Sequence, residues 1–147
     1  MDMRIKEAVE LFQEVLFYGT ERVIRSVDNP LWEEFSPEQM QSLKLIGKEG
    51  QITSARLAVL QGVHKSAVSN RTKKLLQKEL IQVVQTADRR EKLLELTAAG
   101  RAVLEESDKI LAEYVENLMS EQVDDQEIEQ FLKIFRKLSA IMKTDGV

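Results

Sequence analysis

Between His64 and Lys78 the chain carries Lys65, Ser66, Ser69, Asn70, Arg71, Lys73 and Lys74, and no acidic residue. Ammonium, guanidinium, hydroxyl and carboxamide groups donate to phosphate oxygens and read base edges in a major groove. The run stands out because the whole chain is acidic, with 25 Asp/Glu against 21 Lys/Arg and a net charge of −4. Residues 51–92 hold nine Lys/Arg and three Asp/Glu, a net +6, which leaves twelve and twenty-two, a net −10, elsewhere. A basic middle between acidic ends is the electrostatic footprint of a protein that meets a polyanion with one part only. A second cationic group, Asp88-Arg89-Arg90, falls between two short β-like stretches. Arginine on a projecting tip suits a narrow, electronegative minor groove. Asp88 is short enough to cap that turn or pair with Arg90.

Other chemistry has few residues to work with. The chain has no cysteine, which removes disulfides, thiol nucleophiles, thiolate zinc sites and cysteine-based oxidant sensing. Its one histidine, His64, has no nearby carboxylates and makes no metal site. Without a glycine-rich phosphate loop or clustered carboxylates, no catalytic residues, cofactor or metal are expected. No run of about 18 apolar residues is present to span a membrane. The start, Met1-Asp2-Met3-Arg4, lacks the apolar core of a signal peptide, so a cytoplasmic location is expected. At 147 residues, 43% hydrophobic and 31% charged, the chain reads as one ordinary globular domain.

The scaffold for the basic groups follows from periodicity and caps. From about Arg4 to Ser26, Ile5, Val9, Phe12, Leu16, Gly19 and Val23 share one helical stripe, widened by Ala8, Val15 and Ile24. Asp28-Asn29-Pro30 then reads as a turn. Ser36-Pro37-Glu38-Gln39 opens a helix with a capping box and continues through Met40, Leu43 and Ile46 towards Gly47–Gly50. Thr53 or Ser54 caps a shorter helix that Gly62 ends. The basic helix, from about Lys65 to Lys78, turns Val68, Thr72, Leu75 and Leu76 inward. Ile81-Gln82-Val83-Val84-Gln85 and Leu93-Leu94-Glu95-Leu96 form a hairpin with its tip at about Thr86 to Glu91. Thr97 caps a long helix, and Asp124 with Glu127 starts a last one carrying Ile128, Phe131, Leu132, Phe135, Leu138 and Ile141. The fold class is mainly α, six helices with a small β-hairpin after the fourth.

Ser54 to Leu75 meets the requirements of a helix-turn-helix. Ala58 is the small residue at the helix crossing, Gly62 tolerates positive φ at the turn, and Val63 and Val68 have the spacing to pack onto Leu57. In sequence come Phe35-Ser36-Pro37-Glu38-Gln39, Leu57-Ala58, Gly62-Val63, Ser66-Ala67-Val68-Ser69, Leu80-Ile81, Asp88-Arg89-Arg90 and Leu96-Thr97-Ala98-Ala99-Gly100. This series resembles the MarR family of bacterial regulators over nearly the whole chain.

The resemblance implies a winged helix-turn-helix flanked by long N- and C-terminal dimerisation helices. Residues 1–34 would be the first of these with its linker, 35–97 the DNA-binding domain, and 98–147 the C-terminal dimerisation helices. It further implies a triangular homodimer that represses transcription from a pseudo-palindromic double-stranded DNA operator, with half-sites roughly 34 Å apart. Ser66, Ser69, Asn70 and Arg71 would face bases or nearby phosphates, with Ser54, Lys65, Lys73, Lys74 and Asp88 completing the DNA-binding set. Arg89 or Arg90 would take the minor groove. Many relatives bind small aromatic acids or lipophilic compounds, so the resemblance implies a small-molecule effector pocket at Trp32, Phe35 or residues of the first and fifth helices. The plainer reading is that both rings pack the linker onto the core, and no ligand is assigned. Glu79 departs from the family, which commonly has glycine there. Reaching the helix-ending geometry without glycine costs about 1 kcal/mol. The rival readings are a winged-helix module for another protein and a helical dimerisation protein without DNA specificity. The spread of Lys and Arg without interleaved large apolar residues favours phosphate over a protein hot spot.

Overall fold

The computed structural model describes residues 1–88 and 91–144. Helix starts follow their caps. Asp2 accepts from the Arg4 N–H at 2.9 Å and opens α1 (Met3–Ser26). Asn29 accepts from the Leu31 N–H at 3.0 Å and, with Pro30 behind it, opens the short α2 (Pro30–Glu34). The sequence pattern predicts only a turn there, yet an N-cap asparagine before proline is equally a helix start. At α3 (Pro37–Glu49) the expected capping box closes, the Ser36 and Gln39 side chains accepting at 3.1 and 2.8 Å.

After Gly50 comes β1 (Gln51–Thr53), a strand too short to leave a pattern in the sequence. Thr53, not Ser54, caps α4 (Ser54–Gln61), its hydroxyl accepting from the Arg56 N–H at 3.1 Å. Then follow α5 (Lys65–Gln77), β2 (Ile81–Gln85) and β3 (Lys92–Leu96). Thr97 caps α6 (Ala98–Met119), and reciprocal bonds between Asp124 and Glu127 at 2.8 and 3.1 Å start α7 (Asp125–Thr144). The expected hairpin is therefore part of a three-stranded antiparallel sheet in the order β1-β3-β2, with Ile52 and Val83 both opposite Leu94.

The buried hydrophobic cluster runs from Phe35 to Leu96: Leu43, Ile46, Leu57, Val68, Leu75 and Ile81 are sealed from solvent, with Ile52, Leu94 and Leu96 closing it from the sheet. The first turns of α6 add Gly100, Val103 and Leu104 to this core. By contrast, α1 buries no residue at all. It meets α7 through Phe12, 6.1 Å from Phe135, which in turn stacks on Phe131 at 4.1 Å. Phe12 and Phe131 nevertheless remain 47% and 56% exposed. The chain exposes 11315 Å². A compact monomer of 16.9 kDa would expose only about 7,700 Å², so the terminal helices leave a large apolar area uncovered. No described helix is long and apolar enough to cross a membrane.

Candidate nucleic-acid interface

The helix-turn-helix is built as its residues require. Leu57 and Ala58 of α4 are buried against Val68 of α5 in one core. Between the helices Gly62 sits at φ 66°, and its N–H and that of Val63 bond back to Val59 and Ala58 carbonyls at 3.1 and 3.0 Å. That is a Schellman closure, and it needs the left-handed residue that glycine supplies without strain. His64 then begins α5 without a side-chain cap, its carbonyl accepting from Ala67 and Val68.

Three buried residues, Val68, Thr72 and Leu75, set the rotation of α5. Thr72 donates its hydroxyl to the Val68 carbonyl at 2.8 Å, which lets a polar side chain sit in the core. At about 100° per residue, the opposite side carries Ser66, Asn70, Lys73 and Gln77, with Lys65 and Ser69 on one shoulder; all six are exposed. Gln77 escapes the sequence reading, although its spacing of four from Lys73 and seven from Asn70 places it on that face. Leu76, expected inward, is instead 36% exposed. Arg71 and Lys74 lie on the flank and are half-buried. Lys74 is engaged within the subunit: its ammonium donates to the Glu34 carbonyl and lies 5.0 Å from the centre of the Phe35 ring. Ser54 is exposed at the first position of α4.

The wing sheet carries its own polar ladder. Glu95, central on β3, accepts from Gln51 on β1 at 2.9 Å and from Gln82 on β2 at 2.8 Å. These two bonds hold its carboxyl below the usual carboxylate range. At the hairpin tip the Thr86 hydroxyl and the Glu91 N–H donate to the Asp88 carbonyl at 2.9 and 3.0 Å. Asp88 itself is exposed. Arg89 and Arg90, the two expected minor-groove residues, lie outside the described residues.

Where α5 ends, Glu79 takes φ 57°, the only positive φ at a non-glycine among the described residues. Its N–H bonds to the Leu76 carbonyl and the Leu80 N–H to the Leu75 carbonyl, each at 3.0 Å. The expected departure is thus real: a full Schellman closure is made with glutamate where glycine is easiest. Phe35 is buried at 4% exposure and packs the linker onto the core, with Leu31 beside it, while Trp32 is half-buried.

Comparison with known proteins agrees with this geometry. Residues 35–92 match the MarR family model. The chain is 36% identical over 145 residues to the uncharacterized HTH-type transcriptional regulator YdgG of Bacillus subtilis, covering 97% of this chain and 95% of that one. Among solved structures, a MarR family protein from Bacillus stearothermophilus superposes with a TM-score of 0.79 at 20% identity, covering 98% of this chain and 99% of that one. Streptococcus pneumoniae FabT, solved in complex with DNA, superposes with a TM-score of 0.67 at 22% identity over 96% of each chain. The chain belongs to the MarR family and is a DNA-binding transcriptional regulator of winged helix-turn-helix fold.

Proposed function

We propose that the chain reads a pseudo-palindromic duplex site as a homodimer, with α5 in the major groove and the β2–β3 tip at the minor groove, and represses transcription there. The observation that carries this reading is the outward face of α5. Ser66, Asn70, Lys73 and Gln77 project opposite the buried Val68, Thr72 and Leu75, with no acid on the helix. Hydroxyls and carboxamides in the middle of the face suit base edges, and the flanking cations suit phosphate. In this reading Ser66, Ser69 and Asn70 meet bases, while Lys65, Lys73 and Ser54 meet backbone. Arg71, half-buried on the flank, is better placed for a phosphate than for a base. Asp88 shapes the wing, and Arg89 and Arg90 supply its charge.

The homodimer is supported by the exposed apolar sides of α1 and α7 and by a surface about half as large again as a compact chain would show. Self-association through such faces typically removes 2,000 Å² or more in total. The division into dimerisation arms (1–34 and 98–147) and a DNA-binding unit (35–97) is part of the proposal. Repression follows from a dimer that fills both grooves and blocks the duplex to other proteins. A small-molecule effector that weakens DNA binding fits the arrangement, without a ligand assigned.

Selection of bound sequences from a random duplex pool, at about physiological salt, tests the proposal. A recovered pseudo-palindrome with half-sites about one helical turn apart upholds it. Salt-labile binding with no enriched sequence refutes sequence-specific reading.

A further inference from the structure

Three contacts tie the C-terminal half of α5 to the end of α2. Lys78 Nζ stands 3.0 Å from a Glu34 carboxylate oxygen. Lys74 Nζ donates to the Glu34 carbonyl and lies 5.0 Å from the centre of the Phe35 ring. Phe35 is itself anchored, 4% exposed in the core, with its N–H bonded to the Leu31 carbonyl at 2.8 Å. Charge counting alone assigns all the α5 lysines to a polyanion. The geometry divides them: Lys73 is exposed on the outward face, whereas Lys74 and Lys78 converge on one residue of the linker. The Lys78–Glu34 pair alone is exposed and weak. Together with a cation over a buried ring and a bond to a helix-terminal carbonyl, it fixes α5 against α2 at two successive turns.

We propose that Glu34, Lys74 and Lys78 are positioning residues that set the angle of α5, and that these two lysines take no DNA phosphate. This rests on α5 being the helix that meets DNA. By charge alone, Glu34 repels a polyanion, and its removal would tighten binding. As a positioning residue it does the opposite: without its carboxylate α5 loses the Lys78 contact of its brace and binding weakens. The two expectations differ in sign.

The test uses the full chain and a fluorescently labelled mixed-sequence duplex, with affinity measured by anisotropy across a salt series. The slope of log affinity against log salt counts neutralised phosphates, at about one unit each. Lys73→Gln should lower the slope by about 1. Lys78→Gln should leave the slope unchanged while weakening affinity about threefold, the range open to an exposed pair with a cation–π neighbour. Glu34→Gln should weaken affinity by about the same factor. Lys78→Arg, which keeps the pair, and the charge exchange Glu34→Lys with Lys78→Glu should both restore affinity at an unchanged slope. A slope lowered by about 1 in Lys78→Gln, or tighter binding in Glu34→Gln, overturns the proposal while leaving α5 as the DNA helix. An unchanged slope in Lys73→Gln removes α5 from the DNA face, and the proposal falls with that reading.

Discussion

Replacing Gly100 with alanine should destabilise the winged core far more than a single methyl suggests. Gly100 occupies the third position of α6, directly over the turn between α5 and β2. A Cβ built there would stand 1.9 Å from the Leu80 carbonyl oxygen and 2.8 Å from its carbon. Ordinary C···O contact begins at about 3.3 Å, so the two backbones must part by more than about 1 Å. The Leu80 carbonyl is not free to move, because it accepts from the Thr97 N–H at 3.0 Å. The Thr97 hydroxyl also accepts from the Gly100 N–H at 3.0 Å and donates to the Glu79 carbonyl at 2.6 Å. Parting the backbones strains this whole set. Losing one or two such bonds, and stranding a buried carbonyl, costs about 1–3 kcal/mol each. Alanine returns about 1 kcal/mol in helix propensity. With two such bonds lost at the middle of that range, the expected net loss is about 3 kcal/mol, read as a lower urea midpoint at one fixed protein concentration with an unchanged slope. A midpoint equal to or above that of the unsubstituted protein would refute the account of the α5–β2–α6 junction.

Glu79→Gly should act in the other direction. Relief of the left-handed glutamate, partly offset by a more flexible unfolded chain, is expected to stabilise by about 0.5–1 kcal/mol, and a lower urea midpoint would contradict it. The Glu95 carboxyl, held below the usual carboxylate range by Gln51 and then Gln82, should show a depressed midpoint in an NMR pH titration. A group with a depressed folded value contributes stability that is present above its ordinary pKa and lost as pH falls through the folded one. Glu95→Gln should thus remove part of the acid sensitivity in the range below the ordinary glutamate pKa, and identical acid unfolding in both proteins would count against the ladder. Arg89→Ala combined with Arg90→Ala should lower the salt slope of duplex binding by about 2 if both side chains meet phosphate. An unchanged slope and affinity would remove the wing from the DNA-binding mechanism.

How far the sequence could be read depended on the range of the interactions. Caps span three or four residues, and Ser36 with Gln39, Thr97 with Gly100 and Asp124 with Glu127 all close as their spacing demands. The turn at Gly62 and the strained Glu79 were legible for the same reason, since both close within one helical turn. Helix α2 was hidden because asparagine before proline signals a turn as readily as a helix start. Strand β1 exists only through its pairing with β3, some forty residues downstream. Leu76 reads as core by hydrophobicity, but Val68, Thr72 and Leu75 fix the rotation of α5 and carry Leu76 to the rim. The division of the lysines depends on Glu34, forty residues before Lys74, and no local pattern encodes it.

Besides its buried face, helix α5 is held at three places. At its start the Gly62 turn locks it to α4. Along its flank Lys74 and Lys78 brace it against α2. At its end the Glu79–Leu80 turn is bonded into Thr97 and packed under Gly100, which joins it to α6. The same α6 begins on the core and runs on as one helix of 22 residues into the region where apolar side chains stay uncovered. In the proposed dimer, the continuous helix α6 and its hydrogen-bonded junction with α5 would carry the spacing of the two α5 helices. A substitution that loosens the junction, such as Gly100→Ala, should then broaden the tolerated half-site spacing before it abolishes binding. One that weakens only a surface contact, such as Lys73→Gln, should lower affinity for every duplex alike and leave the preferred spacing unchanged. Duplexes with half-sites moved apart one base pair at a time separate these two behaviours directly.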